Sequence, residues 1–477
     1  MPVEGRTHKP VVDYNRCEAC GVCLKACPAE VIPDFRYEPD SLRGKLYSHS
    51  DPEPRINVTK VFDLPHCQAE CPVRQDVRGY MRLIAEGRYG EALELIREAN
   101  PLPSVCGYVC HHPCESACTR GRVDDPLSIR SLKRFVTDYD DGRLNPPSVG
   151  KPKGKKVVII GSGPSGLAAG HELARMGYEV EIIESYREAG GLLAWAIPAF
   201  RLPREILQRD IDYIRKMGVT IKTGMHFGSD VKISGLQKNG ANAVIVATGT
   251  QKSLKLHIEN EDRHRGVLDC LDFLKACSDE RDVALGSQIL VIGGGNAAVD
   301  TARSALRKSR AKVTILYRRS FEEMPADREE IKEALREGVR VEFLTAPKKM
   351  LVSGGRVKGL ECLKTELREA DHSGRKRPVP VEGSEFVIEA NTVIPAVGQE
   401  ADYGPVTGGL ASGNKTLSID RETLQANVDG VFAAGDFVNG AGTVIEAMAS
   451  GKKAAQAVDR YLQSKEKCFT TELAILE

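Results

Sequence analysis

Short apolar runs, each closed by small residues and followed by a helical pattern, recur through the second two-thirds of the chain. Val157, Val158, Ile159 and Ile160 lead into Gly161-Ser162-Gly163-Pro164-Ser165-Gly166, and Ile289, Leu290, Val291 and Ile292 lead into Gly293-Gly294-Gly295-Asn296-Ala297-Ala298. Apolar runs of strand length, bounded by glycine, read as buried strands of a parallel sheet. After the first turn the spacing predicts a helix over 167–176, closed by Gly177, then a strand over 179–184. After the second it predicts a helix over about 297–308 and a strand over 312–317. Further apolar strands end at Thr248-Gly249, at Gly398 and at Gly435-Asp436, and a last helix is predicted over 443–457, opening on Thr443-Val444. Strands alternating with helices give an α/β class with two Rossmann-like dinucleotide-binding domains.

The first 150 residues read differently. Tyr80, Leu83, Ile84, Ala92, Leu93, Leu95 and Ile96 recur at helical spacing between 77 and 100, with no strand pattern beside them. A helical stretch over 77–100 is therefore expected ahead of the α/β part. The stretch 141–156 is rich in Pro, Gly and Lys and reads as a linker with solvated lysines.

At 477 residues the chain is long enough for two or three domains. Its net charge of +1 implies no broad attraction to nucleic acid or anionic membrane. No apolar run approaches the roughly 20 residues of a membrane helix. The first six residues carry no apolar signal-peptide core. A cytoplasmic location is expected.

Ten of the 14 cysteines lie before residue 120; the others are Cys270, Cys277, Cys362 and Cys468. In a chain of this length such clustering points to a metal region, not a disulfide scaffold. Cys17, Cys20, Cys23 and Cys27, followed by Pro28, form C-x2-C-x2-C-x3-C-P. This is the bacterial ferredoxin run, in which thiolates hold [4Fe–4S] cubes. A second set comprises Cys67, Cys71, Cys106, Cys110, Cys114 and Cys118. Gly107 and Pro113 interrupt any continuous helix there, so a cluster-binding loop fits better; zinc is the competing metal. His111 and His112 stand between these cysteines and receive no assigned role.

Each glycine of the two turns has a physical task. The first permits the tight turn, and the second lets backbone N–H groups approach a pyrophosphate at the positive end of the helix. Glu184 ends the second strand of the first unit, where a carboxylate accepts from ribose hydroxyls. In the second unit that acid is missing, and Arg318-Arg319 stand instead. Guanidiniums at that position favour a 2′-phosphate, so the site leans toward NADP(H), although arginine does not exclude NAD. Asp436 is placed to bind a ribityl or ribose hydroxyl, and the helix after Thr443 could present its N-terminus to a flavin.

These motifs resemble the glutamate synthase small (beta) subunit family, related to the N-terminal half of dihydropyrimidine dehydrogenase. The resemblance rests on GSGPSGLAAGHELARMGYEVEIIES, EAGGLLAWAIPAFRLP, VIGGGNAAVDTA, VTILYRRSFEEMPA and VFAAGDFVNGAGTVIEAMASGKKAA, with CPVRQDVRGYMRLIAEGRYGEALELIREANPLPSVCGYVC in the cluster region. It runs from about residue 60 to the end. It implies an iron–sulfur domain over 1–150 (ferredoxin-like motif 10–35, helical cluster domain 60–140). An FAD domain follows in two parts, 151–255 and 389–477, with an NAD(P)H domain over 256–388 inserted between them. It also implies that Gly191, Leu192 and Arg201 join the cofactor-binding set. That set otherwise comprises Gly161, Gly163, Pro164, Ser165, Gly166, Glu184, Thr248, Gly249, Gly293, Gly295, Asn296, Ala297, Arg318, Arg319, Gly398, Gly435, Asp436, Thr443 and Val444. The chain departs from the family in two places. Residues 61–66 stand where the family carries an extra C-x2-C, and Lys133 occupies a position where a ligand is often acidic or an amide. Two cubes drawn from the ten cysteines are still expected, with Cys106 the weakest ligand.

Hydride exchange between nicotinamide and flavin needs proximity and orientation, not a protein nucleophile or an acid–base pair. Disulfide reductases of similar architecture carry a cysteine pair beside the flavin; residues 190–195 hold none, and Cys270 and Cys277 lack C-x-x-C spacing. The expected function is an NAD(P)H-handling FAD/iron–sulfur electron-transfer subunit feeding another redox subunit, with no nucleic-acid partner and no membrane insertion. A glutamate synthase small subunit and a non-enzymatic redox sensor or scaffold are the alternatives.

Overall fold

The computed structural model describes residues 64–140, 149–261, 264–371, 374–403, 419–420 and 423–476, with side chains of the last helix described to Lys465. Cys17, Cys20, Cys23, Cys27, the linker core 141–148 and the side chain of Cys468 lie outside the described residues.

In chain order the first helices are α1 (His66–Ala69), α2 (Val77–Ala85), α3 (Tyr89–Ala99), α4 (Pro103–Val109), α5 (Pro113–Ser116) and α6 (Ile129–Tyr139). Then come β1 (Lys156–Ile160), α7 (Pro164–Arg175), β2 (Glu179–Ile183), α8 (Leu192–Trp195), α9 (Arg204–Lys216), β3 (Thr220–Lys222), α10 (Ile233–Lys238) and β4 (Ala241–Val246). A second group comprises β5 (Lys252–Ser253), α11 (Cys270–Ser278), β6 (Gln288–Ile292), α12 (Asn296–Lys308), β7 (Lys312–Leu316), α13 (Arg328–Arg336) and β8 (Arg340–Glu342). The chain continues through β9 (Thr345–Ser353), β10 (Arg356–Ala370), β11 (Lys376–Pro380), β12 (Phe386–Glu389), β13 (Thr392–Pro395) and β14 (Gln399–Glu400). It ends with β15 (Val431–Ala433), α14 (Asp436–Asn439) and α15 (Val444–Leu476).

The chain divides into two compact units, one of residues 1–95 with 112–129 and one of 96–111 with 130–477. In the smaller unit, Asp76 caps α2 by accepting from Gly79 N at 2.9 Å. Tyr80 is wholly buried, and its hydroxyl donates to the Ile129 carbonyl at 3.3 Å. A single helical domain over 60–140 was expected; residues 96–111 and 130–140 instead belong with the larger unit. The reason is bonding to distant parts of the chain. Asp210 on α9 accepts from Val105 N at 2.9 Å, Lys452 on α15 donates to the Ala99 carbonyl at 2.8 Å, and Arg97 stacks 4.1 Å from the Tyr213 ring centre.

Two parallel sheets organise the larger unit. The first has strand order β15-β4-β1-β2-β3 and the second β13-β6-β7-β8. The β1 and β6 runs are buried almost throughout, because helices cover both faces of a parallel sheet. The expected boundary at 388/389 needs a correction: β13 pairs with β6, Thr392 opposite Ile289, so it belongs to the second sheet. An antiparallel sheet that hydropathy did not announce fills 345–389, with β10 pairing β9, β11 and β12. Its Met350, Val357, Leu360 and Cys362 pack with Leu290, Ile292 and Leu316 of the second parallel sheet.

Candidate active site

The two fingerprint turns are built alike. Gly161 has φ +105°, and a Cβ there would lie 2.3 Å from the Ala247 carbonyl oxygen at the end of β4. Gly293 has φ +147°, and its Cβ would lie 2.2 Å from the Ala396 carbonyl oxygen after β13. Gly161 N donates to Ile183 O and Gly293 N to Leu316 O, so each turn is pinned to the neighbouring strand. Gly163 and Gly295 behave oppositely: a Cβ at either would meet nothing within 4 Å. These second glycines open onto a cavity at the first turns of α7 and α12, where the positive helix ends favour a phosphate group.

That cavity measures about 1330 Å³ and lies within the larger unit. Typical small-molecule pockets hold roughly 300–1,000 Å³, so there is room here for more than one ligand. Gly161, Gly163, Pro164, Ser165, Glu184, Gly191, Leu192, Arg201, Thr248 and Gly249 line it. From the second half come Gly293, Gly295, Asn296, Ala297, Arg318, Arg319 and Gly398, and from the C-terminal segment Asp436, Thr443 and Val444. Gly166 and Gly435 stand behind the wall. A Cβ at Gly166 would lie 1.9 Å from Gly161 O, and one at Gly435 would lie 2.8 Å from Ser165 Cβ, so both serve close packing under the turn.

Three candidate residues are more committed than the sequence suggested. Glu184 is buried, and its carboxylate already accepts from Ser162 N at 2.9 Å, Ser162 Oγ at 2.6 Å and Tyr186 N at 2.8 Å. It shapes the turn as well as facing the cavity. Arg201 is almost wholly buried and donates to Asp300 on α12 at 2.5 Å. Burial pushes the Asp300 carboxyl up, against the pull of Arg201. Breaking such a buried pair from one side costs about 3–5 kcal/mol, so Arg201 is a structural tie between the two halves of the cavity. Arg319 donates to Asp371 at 2.6 Å and to Lys376 O at 2.7 Å and is buried, whereas Arg318 is exposed.

The C-terminal segment borders the cavity through Asp436, Thr443 and Val444. Burial, opposed by a bond from Gly442 N, pushes the Asp436 carboxyl up to about 6. Gly435 N donates to Ser450 Oγ at 2.8 Å, and Thr443 N and Oγ1 donate to Glu446 at 2.8 and 2.7 Å. Sequence reasoning missed His111 and Val109. Both line this cavity, and Cys110 lies between them. His111 Nδ1 is buried without a hydrogen-bond partner. The adjacent cysteine was the signal that could have found it. Arg130 donates to Cys110 O at 3.0 Å and to Asp327 at 2.7 Å, and Asp327 N donates to Asn296 Oδ1 at 2.9 Å.

Cys67, Cys71, Cys106, Cys110, Cys114 and Cys118 all fall among the described residues, where no three His, Cys, Asp or Glu side chains converge on one point. Cys67, Cys71, Cys114 and Cys118 lie in the smaller unit, Cys106 and Cys110 in the larger. Cys106 is fully buried with its Sγ 3.8 Å from Met448 Sδ, the surroundings of a packed thiol. It is the candidate ligand the structure favours least. The short helix α8, which borders the cavity, carries no cysteine.

The pyridine nucleotide-disulphide oxidoreductase profile matches residues 155–451, more than half of the chain. The chain belongs to that family. The profile of dihydropyrimidine dehydrogenase domain II, 4Fe-4S cluster, matches 62–143, and a 4Fe-4S binding domain matches 10–32. As a member of this family the chain is a pyridine nucleotide-dependent oxidoreductase that takes FAD, and its two 4Fe-4S matches give it [4Fe–4S] clusters. The open cradles at Gly163 and Gly295 fit a dinucleotide on each side. The chain is 42% identical over 447 residues to the NADP(+)-dependent formate dehydrogenase subunit beta of Moorella thermoacetica, covering 88% of this chain and 63% of the relative. It is 35% identical to the glutamate synthase [NADPH] small chain of Escherichia coli K12, over 84% of this chain and 89% of that one. The fold matches that of Mycobacterium tuberculosis FprA in complex with NADPH at a TM-score of 0.58 and 19% identity, over 66% of this chain and 86% of that chain. No helix among the described residues is long and apolar enough to cross a membrane.

Proposed function

We propose that this chain is the electron-transfer subunit of a larger cytoplasmic redox complex, exchanging hydride with NADP(H) and passing single electrons to a partner subunit. The observation that carries the reading is the wall formed by Val109 and His111, which brings the Cys110 segment to the same cavity that Asp436 and Thr443 border. When bound, FAD supplies the change from a two-electron hydride to single electrons, and the clusters carry those electrons one at a time. The chain's own residues position these groups. Gly161, Gly163 and the N-terminus of α7 receive the FAD pyrophosphate, with Asp436 on a flavin-side hydroxyl. Gly293, Gly295 and the N-terminus of α12 receive the nicotinamide dinucleotide, with exposed Arg318 toward the 2′-phosphate. Two cubes take eight thiolates, drawn from Cys17, Cys20, Cys23, Cys27, Cys67, Cys71, Cys110, Cys114 and Cys118, with the N-terminal run serving as the port to the partner.

The matched relatives named beta subunits and small chains support a complex, and the absence of any cysteine from α8 argues against disulfide chemistry. The test has two arms. Removing residues 1–35 should leave FAD content and NADPH-driven dye reduction intact and abolish reduction of the co-purifying subunit. A truncated protein that still feeds its partner at full rate overturns the port. A full-length protein that holds FAD but reduces no dye with NADPH or NADH favours the sensor or scaffold reading.

A further inference from the structure

The buried arginine at the end of β7 bonds to a hairpin, and the hairpin carries its own arginines to the cavity edge. Arg319 gives its Nε to Lys376 O at 2.7 Å and an Nη to Asp371 at 2.6 Å. Asp371 N in turn donates to Arg375 O at 2.8 Å, and Gly374, at φ +75°, donates to Asp371 O at 2.9 Å. Asp371 and Lys376, at the facing ends of β10 and β11, are thereby tied to the strand end that carries Arg318. Beyond the turn, Arg377 pairs with Arg368 in the antiparallel ladder. Arg375 lines the large cavity along with Arg318 and Arg319. A neighbouring cavity of about 550 Å³ shares Arg318 and Arg319 and is bordered on its other side by Asp371 and Arg377.

Burying a guanidinium carries a desolvation cost, which the bonds of Arg319 to Asp371 and Lys376 O offset only while the hairpin stays in place. Three guanidiniums face the smaller cavity against one carboxylate, and that carboxylate is already engaged by Arg319. Such a place recognises a phosphomonoester dianion, since guanidiniums bind phosphate through paired charge-assisted hydrogen bonds. We infer that Arg375 and Arg377 of the β10–β11 hairpin complete the subsite for the 2′-phosphate of NADP(H), together with Arg318, and that Arg319 is a positioning residue that holds the hairpin in place. The inference deepens the proposed use of NADP(H) and rests on it.

The probes are adenosine 2′,5′-bisphosphate and 5′-AMP, titrated calorimetrically into the full chain with its cofactors. They differ only by the 2′-phosphate, so turnover plays no part. The wild-type protein should prefer the bisphosphate. Arg375→Ala with Arg377→Ala should weaken bisphosphate binding about ten- to a hundred-fold, the range expected for lost hydrogen bonds to a charged group, and leave 5′-AMP within about two-fold. Lysine at both positions should restore part of the loss. Arg319→Ala should weaken the bisphosphate too. Its effect should largely vanish in the Arg375→Ala, Arg377→Ala background, because it acts through them. Wild-type preference combined with unchanged bisphosphate affinity in the double variant overturns the hairpin's role and leaves the NADP(H) reading standing. Equal wild-type affinity for the two probes overturns both.

Discussion

Gly293→Ala tests whether the two fingerprint turns serve different cofactors. The added Cβ would sit 2.2 Å from Ala396 O and 2.9 Å from Ala396 C, and both are backbone atoms that no side-chain rotation can move. Relief requires the oxygen contact to open from 2.2 Å to at least 3.0 Å, separating the turn from the end of β13. The φ of +147° adds strain of roughly 1–2 kcal/mol for an L-residue, and overpacking adds about 1–3 kcal/mol. Even the lower sum, expressed at the site, corresponds to about thirty-fold weaker binding. The assay is titration of the purified protein with NADPH, with FAD content read from absorbance after desalting. Gly293→Ala should keep its FAD and lose NADPH affinity. Gly161→Ala, whose Cβ would meet Ala247 O at 2.3 Å, should lose FAD. If Gly293→Ala binds NADPH like the wild type, or emerges without flavin while Gly161→Ala keeps it, the assignment of the two turns is wrong.

Asp436→Asn should lower FAD affinity while making the apoprotein more heat-stable at pH 7.5. The wild-type carboxyl, pushed up to about 6, is a destabilising buried charge above that pH. The thermal gain should shrink as pH falls from about 6 toward 3.8, and a gain that grows instead would contradict the burial argument. His171 is wholly buried, stacks on Tyr213, and is pushed down to about 3 by burial, with Arg175, Lys452 and Arg97 adding to the effect. Its neutral form is worth stability above pH 6.5 that is lost as pH falls toward 3. His171→Leu should therefore gain about 1.4 kcal/mol on the wild type between pH 7.5 and 5.5. Urea unfolding followed at Trp195, the chain's single tryptophan, measures this, and a pH-independent difference refutes it. Anaerobically purified protein should hold about eight irons per chain; four or fewer means that one of the two cysteine sets holds no cube.

The parts of the fold that were legible in the sequence depend on local chemistry. The turns at Gly161 and Gly293 announce themselves because only glycine tolerates that φ and that approach of a neighbouring carbonyl. The helices after them begin at Pro164 and Asn296, within a few residues of where apolar spacing put them. What was hidden depends on distant partners. Arg319 looks like a free ligand until Asp371, 52 residues on, is seen beside it. Residues 96–111 read as part of the cysteine domain because their tie to Asp210 spans 105 residues from Val105. The antiparallel sheet of β9 to β12 escaped notice because its strands are only half buried and mix charged with apolar residues. The cavity-lining role of His111 follows from the path of the backbone after α4, which no spacing rule encodes.

The first parallel sheet cannot be completed until late in the chain. β15 pairs with β4 through Val431 and Val244, nearly two hundred residues apart, with the entire second sheet threaded between them. Closing so long a segment is a slow step for a folding chain. The short ladder between β5 and β14, Ser253 opposite Gln399 and Lys252 opposite Glu400, changes that step. Once the inserted domain has folded and this ladder has formed, the ends of the insertion are held together, and the remaining closure is about four-fold shorter, worth roughly 1 kcal/mol of chain entropy. The topology thus predicts an order of folding, with the second parallel sheet forming as a unit first and the β15 edge of the first sheet closing last, around a clasp four residues in extent.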